Sequence, residues 1–438
     1  MSGGATPDRR VAARVLARQL QEGGHLDHLL NSEREPLDAR EQRRARAILL
    51  AVNRHRPGLA WRLEPFLKRP LHDQEPLVAG VLLVGAAELL LLDGTPPRAA
   101  VHQAVESCRD LGLGRQSGFV NAVLRRLAQA PPRDWPEDPL ERAELEHGHP
   151  RWLLEALAHR VGLDRVPALA EANNRPAPLY LRPRDLDDDL SDLGAEPDAR
   201  IPGAWRRGRL EAGVQSMEGW DDGRLWVQDG AAQAAVALLD LQPGERVLDA
   251  CAAPGGKAFA EAQAVGSEGS VLALDSSARR LRQLAASVER LSLDGVEVGE
   301  RDLLTAPWTD EEGTFDAVLL DAPCSGLGVL RRHPEIRWNR RPADVAVLAR
   351  RQRAFLSAVA PAVRPGGRLV YAVCTVTAAE TDEVIAWFLA EHPEFTQGAA
   401  PESLDASLLD GGALKTDPLQ HDLDGFYAVR LDRRGAAC

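Results

Sequence analysis

Cysteine is scarce in this 438-residue chain: Cys108, Cys251, Cys324, Cys374 and Cys438 are five in all, odd in number, scattered and without zinc-finger spacing. That excludes a disulfide framework and a structural metal, and points to a reducing, cytoplasmic setting. Long apolar runs are missing too. The greasiest stretch, 77–92, contains Glu88 and two glycines and is shorter than the ~20 residues a bilayer needs, so it reads as a buried helix and no membrane role is expected. The first ten residues lack the apolar core of a secretory signal, so export is not expected. Lysine is nearly absent, with Lys68, Lys257 and Lys415 the only lysines among 53 basic residues. Against that arginine bias, a lysine in a glycine turn is a specific choice, because a compact ammonium fits where a planar guanidinium does not.

Positive charge is in short supply overall, the net being −12, yet it is concentrated. Residues 38–70 hold nine Lys/Arg against three acids, and 325–353 hold eight Arg against two. Two basic patches on an acidic body suit a local phosphate backbone, although each alone also fits a solvated helix face.

Residues 8 to about 130 carry apolar side chains at helical spacing, as in Val11, Val15, Leu16 and Leu20, which predicts a helical bundle. The stretch 130–139 has four prolines and predicts a linker and a domain boundary. Three domains are expected: helical over 1–135, a small α+β bridge over 145–220, with strand-like pieces at 179–182 and 209–211, and an α/β domain over 221–434. In the last, strands (246–249, 271–275, 296–298, 316–321, 368–374) alternate with helices (from 258, 277–291, 343–363), the rhythm of a mostly parallel sheet covered on both faces.

In such a sheet, ligands bind beyond the carboxyl ends of the strands. The first strand runs into Cys251-Ala252-Ala253-Pro254-Gly255-Gly256-Lys257, a turn whose backbone can approach a ligand and which opens a helix. Asp275 ends the second strand, where it can accept from ribose hydroxyls, and Asp302 follows the third, near an adenine amino group. Neither G-x-G-x-x-G nor G-x-x-x-x-G-K-[ST] occurs at the turn, so a nucleoside without a phosphate chain is expected. S-adenosylmethionine fits. Two further strands end in Asp321-Ala322-Pro323-Cys324 and Tyr371-Ala372-Val373-Cys374. A lone buried cysteine is usually a small apolar filler. Two at neighbouring strand ends, with an aspartate between them and the cofactor turn, suit covalent attack on C6 of a cytosine, which activates C5 toward a methyl group. Cys108, Cys251 and Cys438 read as fillers. Arg331, Arg332, Arg337, Arg340 and Arg341 follow the Cys324 loop and are candidates for RNA phosphates.

The strings DACAAPGGKA from Asp249, DAPCSGLGVLRRHPEIRW from Asp321, YAVCTVTAAE from Tyr371 and DGFYAVRL from Asp424 resemble the bacterial RNA cytosine-C5 methyltransferases of the small-subunit ribosomal RNA methyltransferase B type. PPRAAVHQAVE from Pro96 and GFVNAVLRRL from Gly118 look like a NusB-type RNA-binding domain. The resemblance implies a NusB-like bundle, a small α+β domain and a Rossmann-like methyltransferase domain, acting as a monomer on 16S ribosomal RNA. It implies Cys374 as nucleophile, Cys324 as the group assisting product release, Asp321 and Lys257 as catalytic neighbours, and cofactor contacts from Cys251 to Lys257, Asp275, Asp302 and Asp321. Val373 stands where the family usually has threonine. The alternatives are the same chemistry on transfer RNA, or a non-catalytic RNA-binding assembly factor.

Overall fold

The computed structural model describes residues 5–208, 210 and 213–435; Cys438 and most of the strand expected at 209–211 lie outside them. The described residues form two compact units, one reaching Asn174 and including Arg332–Arg340, the other holding Arg175–Arg331 and the chain from Arg341 onward.

The first unit is all helix: α1 (Pro7–Glu22), α2 (Leu26–Asn31), α3 (Ala39–Leu63), α4 (Pro76–Leu90), α5 (Pro97–Asp110), α6 (Ser117–Gln129), α7 (Pro139–Glu146), α8 (Arg151–Val161) and α9 (Val166–Ala172). The apolar run becomes α4, buried from Val78 through Glu88 among Val11, Val15, Ile48, Val52 and Leu124. A helix apolar on every side must be surrounded by others. Its one carboxylate, Glu88, is held by Arg9 Nε and Nη2 at 2.8 and 2.6 Å and by Arg44 Nη2 at 2.9 Å.

The proline-rich stretch packs against the helices that precede it. Prolines forbid a helix there but not packing. Arg133 donates to the Trp61 carbonyl at 2.7 Å and to Glu64 at 2.9 Å, with its guanidinium 3.2 Å from the Trp61 ring centroid. The strap thus belongs to the first unit, and so do α7 to α9. The small bridge expected over 145–220 is correspondingly divided, its helices in the first unit and its strands in the second.

In the second unit, β1 (Leu179–Pro183), β2 (Glu196–Pro197), β3 (Trp205–Arg207) and β4 (Leu225–Val227) make an antiparallel sheet of order β2-β3-β1-β4. After α10 (Gly230–Ala237) comes a nine-stranded sheet. Strands β5 (Arg246–Asp249), β6 (Ser270–Asp275), β7 (Val296–Glu300), β8 (Phe315–Asp321) and β9 (Val363–Val373) are parallel to one another. The strands β10 (Phe395–Gln397), β11 (Leu409–Asp410), β12 (Ala413–Thr416) and β13 (Phe426–Arg433) extend the sheet antiparallel from β9. The order β11-β12-β13-β9-β8-β5-β6-β7 reverses direction at β5, so the switch point lies at the carboxyl ends of β5 and β8. Helices α11 (Gly256–Val265), α12 (Ala278–Leu291), α13 (Ile336–Asn339), α14 (Pro342–Val359) and α15 (Asp382–Glu391) complete the chain, α13 lying in the segment that joins the first unit.

Candidate active site

A cavity of about 410 Å³ opens at that switch point, lined among others by Cys251, Asp275, Asp302, Asp321, Cys324 and Cys374. The sheet brings five strand ends together there. The turn after β5 is pinned by the Ala250 amide donating to Leu319 and the Ala252 amide to Leu274. Gly255 then takes φ +115° to open α11, and a Cβ there would meet the Phe259 ring at 2.3 Å, so only glycine turns this corner. Asp275, 3% exposed, accepts from the Ser277 amide at 2.8 Å and from Arg280 at 2.9 Å, both on Oδ1. Asp302 accepts from the Leu304 amide at 3.0 Å.

Register places the two thiols. Asp321 on β8 pairs with Ala372 on β9, and the Ala322 amide donates to the Ala372 carbonyl, so the turns leaving both strands start side by side. Cys324 Sγ lies 3.3 Å from Cys374 Sγ. The loop beyond Cys324 returns, the Gly328 amide donating to the Cys374 carbonyl at 3.0 Å. A Cβ on Gly328 would meet the Gly425 carbonyl oxygen at 1.8 Å, which explains a glycine in each of the two strings that cross there. The hydrogen bond with Cys374, then burial and the nearby acids, hold the Cys324 thiol well above its ordinary pKa.

Lys257, on the first turn of α11, donates to Asp321 Oδ2 at 2.5 Å. Burial works against its ammonium, but the charge and hydrogen bond of Asp321, with Asp249 behind, keep its pKa above the usual value. Asp249 and Glu261 are fully buried near Lys257, and no hydrogen bond satisfies their side-chain oxygens. Burial raises both carboxyls; the charges of Asp321 and Asp275 add to it at Asp249 and those of Asp249 and Asp321 at Glu261, with Lys257 opposing at each. Burial likewise pushes Cys251 up, and Cys108 to about 11 within the helical core. Val373 is buried in the apolar cluster below the site, while Thr375 turns into a polar one.

The arginine reading needs correction. Arg331 is 3% exposed, donating to the Pro176 carbonyl at 2.7 Å and pairing with Asp422 at 2.8 Å. Arg337 is fully buried in the first unit, donating to the carbonyls of His147 and Gly148 and to Asn174 Oδ1 at 3.0–3.1 Å. Neither can reach a phosphate, because guanidinium donors also serve to tie off loop carbonyls. Arg332 and Arg340 are half-buried, and Arg341 is exposed at the start of α14. The sequence reading also missed Arg280, Arg301, Arg351 and Phe355, which line the cavity, and Glu380, whose carboxylate meets both cysteine turns. Arg351 and Phe355 stand four apart on α14, a spacing that gives a shared face but not what it faces. Among the described residues no group of three or more His, Cys, Asp or Glu could hold a metal ion.

A doubly wound sheet with a helical partner unit, a strand-end cavity and paired thiols defines a methyltransferase architecture, and comparison with known proteins agrees. The family model described as 16S rRNA methyltransferase RsmB/F matches residues 236–432, and that of the NusB family matches 6–129. Ribosomal RNA small subunit methyltransferase B of Erwinia tasmaniensis is 32% identical over 437 residues, covering 97% of this chain and 98% of that one. The crystal structure of PH0851 shares the fold with TM-score 0.79 at 24% identity, covering 98% of this chain and 99% of that one. NSun6 from Pyrococcus horikoshii, solved with SFG, shares it with TM-score 0.58 at 18% identity, covering 66% and 99%. The chain belongs to the ribosomal RNA small subunit methyltransferase B family, whose cofactor is S-adenosylmethionine.

Proposed function

We propose that this chain methylates C5 of a cytosine in 16S ribosomal RNA through a covalent bond between Cys374 and C6 of the base. The observation that carries the reading is the pair of thiols 3.3 Å apart on neighbouring strand ends, beside an aspartate held by a half-buried lysine. The cavity suits S-adenosylmethionine: both contacts to Asp275 use Oδ1, leaving Oδ2 for a ribose hydroxyl, and Asp302, Leu303 and Phe355 line a half-apolar space for adenine. When bound, the cofactor supplies an electrophilic methyl group.

Cys374, as thiolate, bonds to C6, and the electron pair of the C5–C6 double bond makes C5 nucleophilic. Asp321, fixed by Lys257, accepts from the cytosine amino group or, protonated, donates to N3, stabilising the adduct in which C5 is the nucleophile. After transfer the C5 proton leaves to a base, the Sγ–C6 bond breaks, and the electron pair restores the thiolate. Cys324, close enough to exchange a proton with Cys374, assists this elimination.

The test is a denaturing gel of each variant with RNA and cofactor. Cys374→Ala is expected to abolish methylation and any RNA adduct, whereas Cys324→Ala is expected to accumulate a covalent adduct. An adduct with Cys374→Ala instead would reverse the two roles.

A further inference from the structure

Glu380 is fully buried, yet its carboxylate collects five donors. The Ser325 amide reaches Oε1 at 2.8 Å and the Ser325 hydroxyl Oε2 at 2.5 Å. The hydroxyls of Thr375 and Thr377 reach Oε2 at 3.1 and 2.9 Å, and Gln352 donates to Oε1 at 3.0 Å. Every donor is neutral. Ser325 directly follows Cys324, Thr375 directly follows Cys374, and their hydroxyls lie 2.7 Å apart. Gln352 also donates to the Pro323 carbonyl at 3.1 Å, on the other side of Cys324.

The Ser325 amide and the Gln352 NH₂ can only donate, so Oε1 has to be an acceptor, whereas the hydroxyls around Oε2 can donate or accept. An amide keeping its oxygen at Oε1 would place an NH₂ among three hydroxyls that the carboxylate holds as donors. The backbone is anchored as well, because the Tyr371 hydroxyl on β9 donates to the Glu380 carbonyl at 2.7 Å. The two cysteine turns lie 50 residues apart in the chain and are joined through one carboxylate.

We propose that Glu380 is the positioning residue of this active site, a buried carboxyl group that ties the turn after Cys324 to the turn after Cys374 and so holds the two thiols in register. It touches neither base nor cofactor. The inference rests on the covalent reading above for its chemical purpose, but the tie itself does not. Its charge has a second effect, since Glu380 is among the groups that keep Cys324 protonated, behind the Cys374 hydrogen bond and burial.

The experiment uses full-length Glu380→Gln with two readouts. Site-resolved iodoacetamide alkylation across pH 7–10 needs no RNA and is expected to show Cys324 reacting faster, with its profile moved to lower pH. Single-turnover methylation is expected to fall about 10²-fold, the usual cost of an ångström of misplacement, with S-adenosylmethionine affinity within about twofold. An unaltered alkylation profile, or a rate loss matched by an equal loss of cofactor affinity, overturns the proposal. Should that variant not fold, Ser325→Ala removes one tie and is expected to lose about tenfold in rate; an unchanged rate would overturn the proposal equally. Failure of the wild-type protein to form any RNA adduct would sink the covalent mechanism while leaving the alkylation result to decide on Glu380.

Discussion

Asp275 offers one oxygen to its own helix and one to the cavity, which makes its replacement a clean probe of cofactor binding. Losing a carboxylate that accepts from ribose hydroxyls costs about 1.5–3 kcal/mol, so Asp275→Ala is expected to weaken S-adenosylmethionine binding roughly 10- to 100-fold. RNA affinity should hold. Calorimetry finding undiminished cofactor binding would remove Asp275 from the site. Glu261 makes the opposite kind of test, because no hydrogen bond satisfies its oxygens. Burial, then Asp249, raises its pKa well above 4.5 in the folded protein. The fold therefore binds a proton that the unfolded chain releases, and the stability present below pH 4.5 is lost as pH rises toward the folded value. Melting midpoints are expected to fall between pH 5 and pH 8, and Glu261→Gln is expected to flatten that fall, by about 2–4 °C for each kcal/mol relieved. An identical slope in the variant would mean the carboxyl is not the source. The catalytic thiols, Asp321 and Lys257 were legible in sequence because each sits in a contiguous string at a strand end. Glu261, in a helical stretch, and Glu380, at the end of the string from Tyr371, were not, since an acidic residue looks solvated until the neighbours that bury it are known.

The helix α4 shows how one element carries its unit. Its run of apolar residues announced burial, but the meaning of Glu88 waited on Arg9 and Arg44, 79 and 44 residues away. Removing one partner of a buried ion pair strands the others, at about 3–5 kcal/mol. Glu88→Ala is thus expected to lower the unfolding midpoint by several degrees in a thermal melt while leaving cofactor affinity untouched; a shift within error would show that water, not packing, surrounds the carboxylate. In the large sheet, the parallel five were readable from their Val and Leu residues and the helices between them. The four antiparallel ones went unread, because Leu409–Asp410 and Phe395–Gln397 are too short to show a period, and Phe426–Arg433 has a continuous apolar start that periodicity cannot separate from a helix. The contacts of the strap 130–138 were not legible for a related reason, as proline reports the absence of a helix and says nothing about packing.

Across the whole molecule, the basic stretches are what an RNA methyltransferase with net charge −12 has to work with, and the structure sorts them. Arg331 and Arg337 are structural, as are Arg9 and Arg44. Exposed arginines remain in both units: Arg40 and Arg43 at the start of α3, Arg341 just before α14 and Arg350 on it. Each phosphate that is no longer neutralised lowers the slope of log affinity against log salt by about 0.7–0.9, whichever unit carries the arginine. If both units grip RNA, Arg40→Gln with Arg43→Gln and Arg341→Gln with Arg350→Gln should each flatten the salt dependence, and the four together should flatten it by about the sum, since residues without shared partners act additively. Cofactor affinity should stay constant throughout. Arg337→Gln should do the reverse, lowering the melting midpoint with the salt slope unchanged. Filter binding at several salt concentrations decides it: a slope that moves only with the α14 pair would confine RNA to the methyltransferase unit, and one that moves with neither pair would return these arginines to the solvated faces that their sequence also allowed.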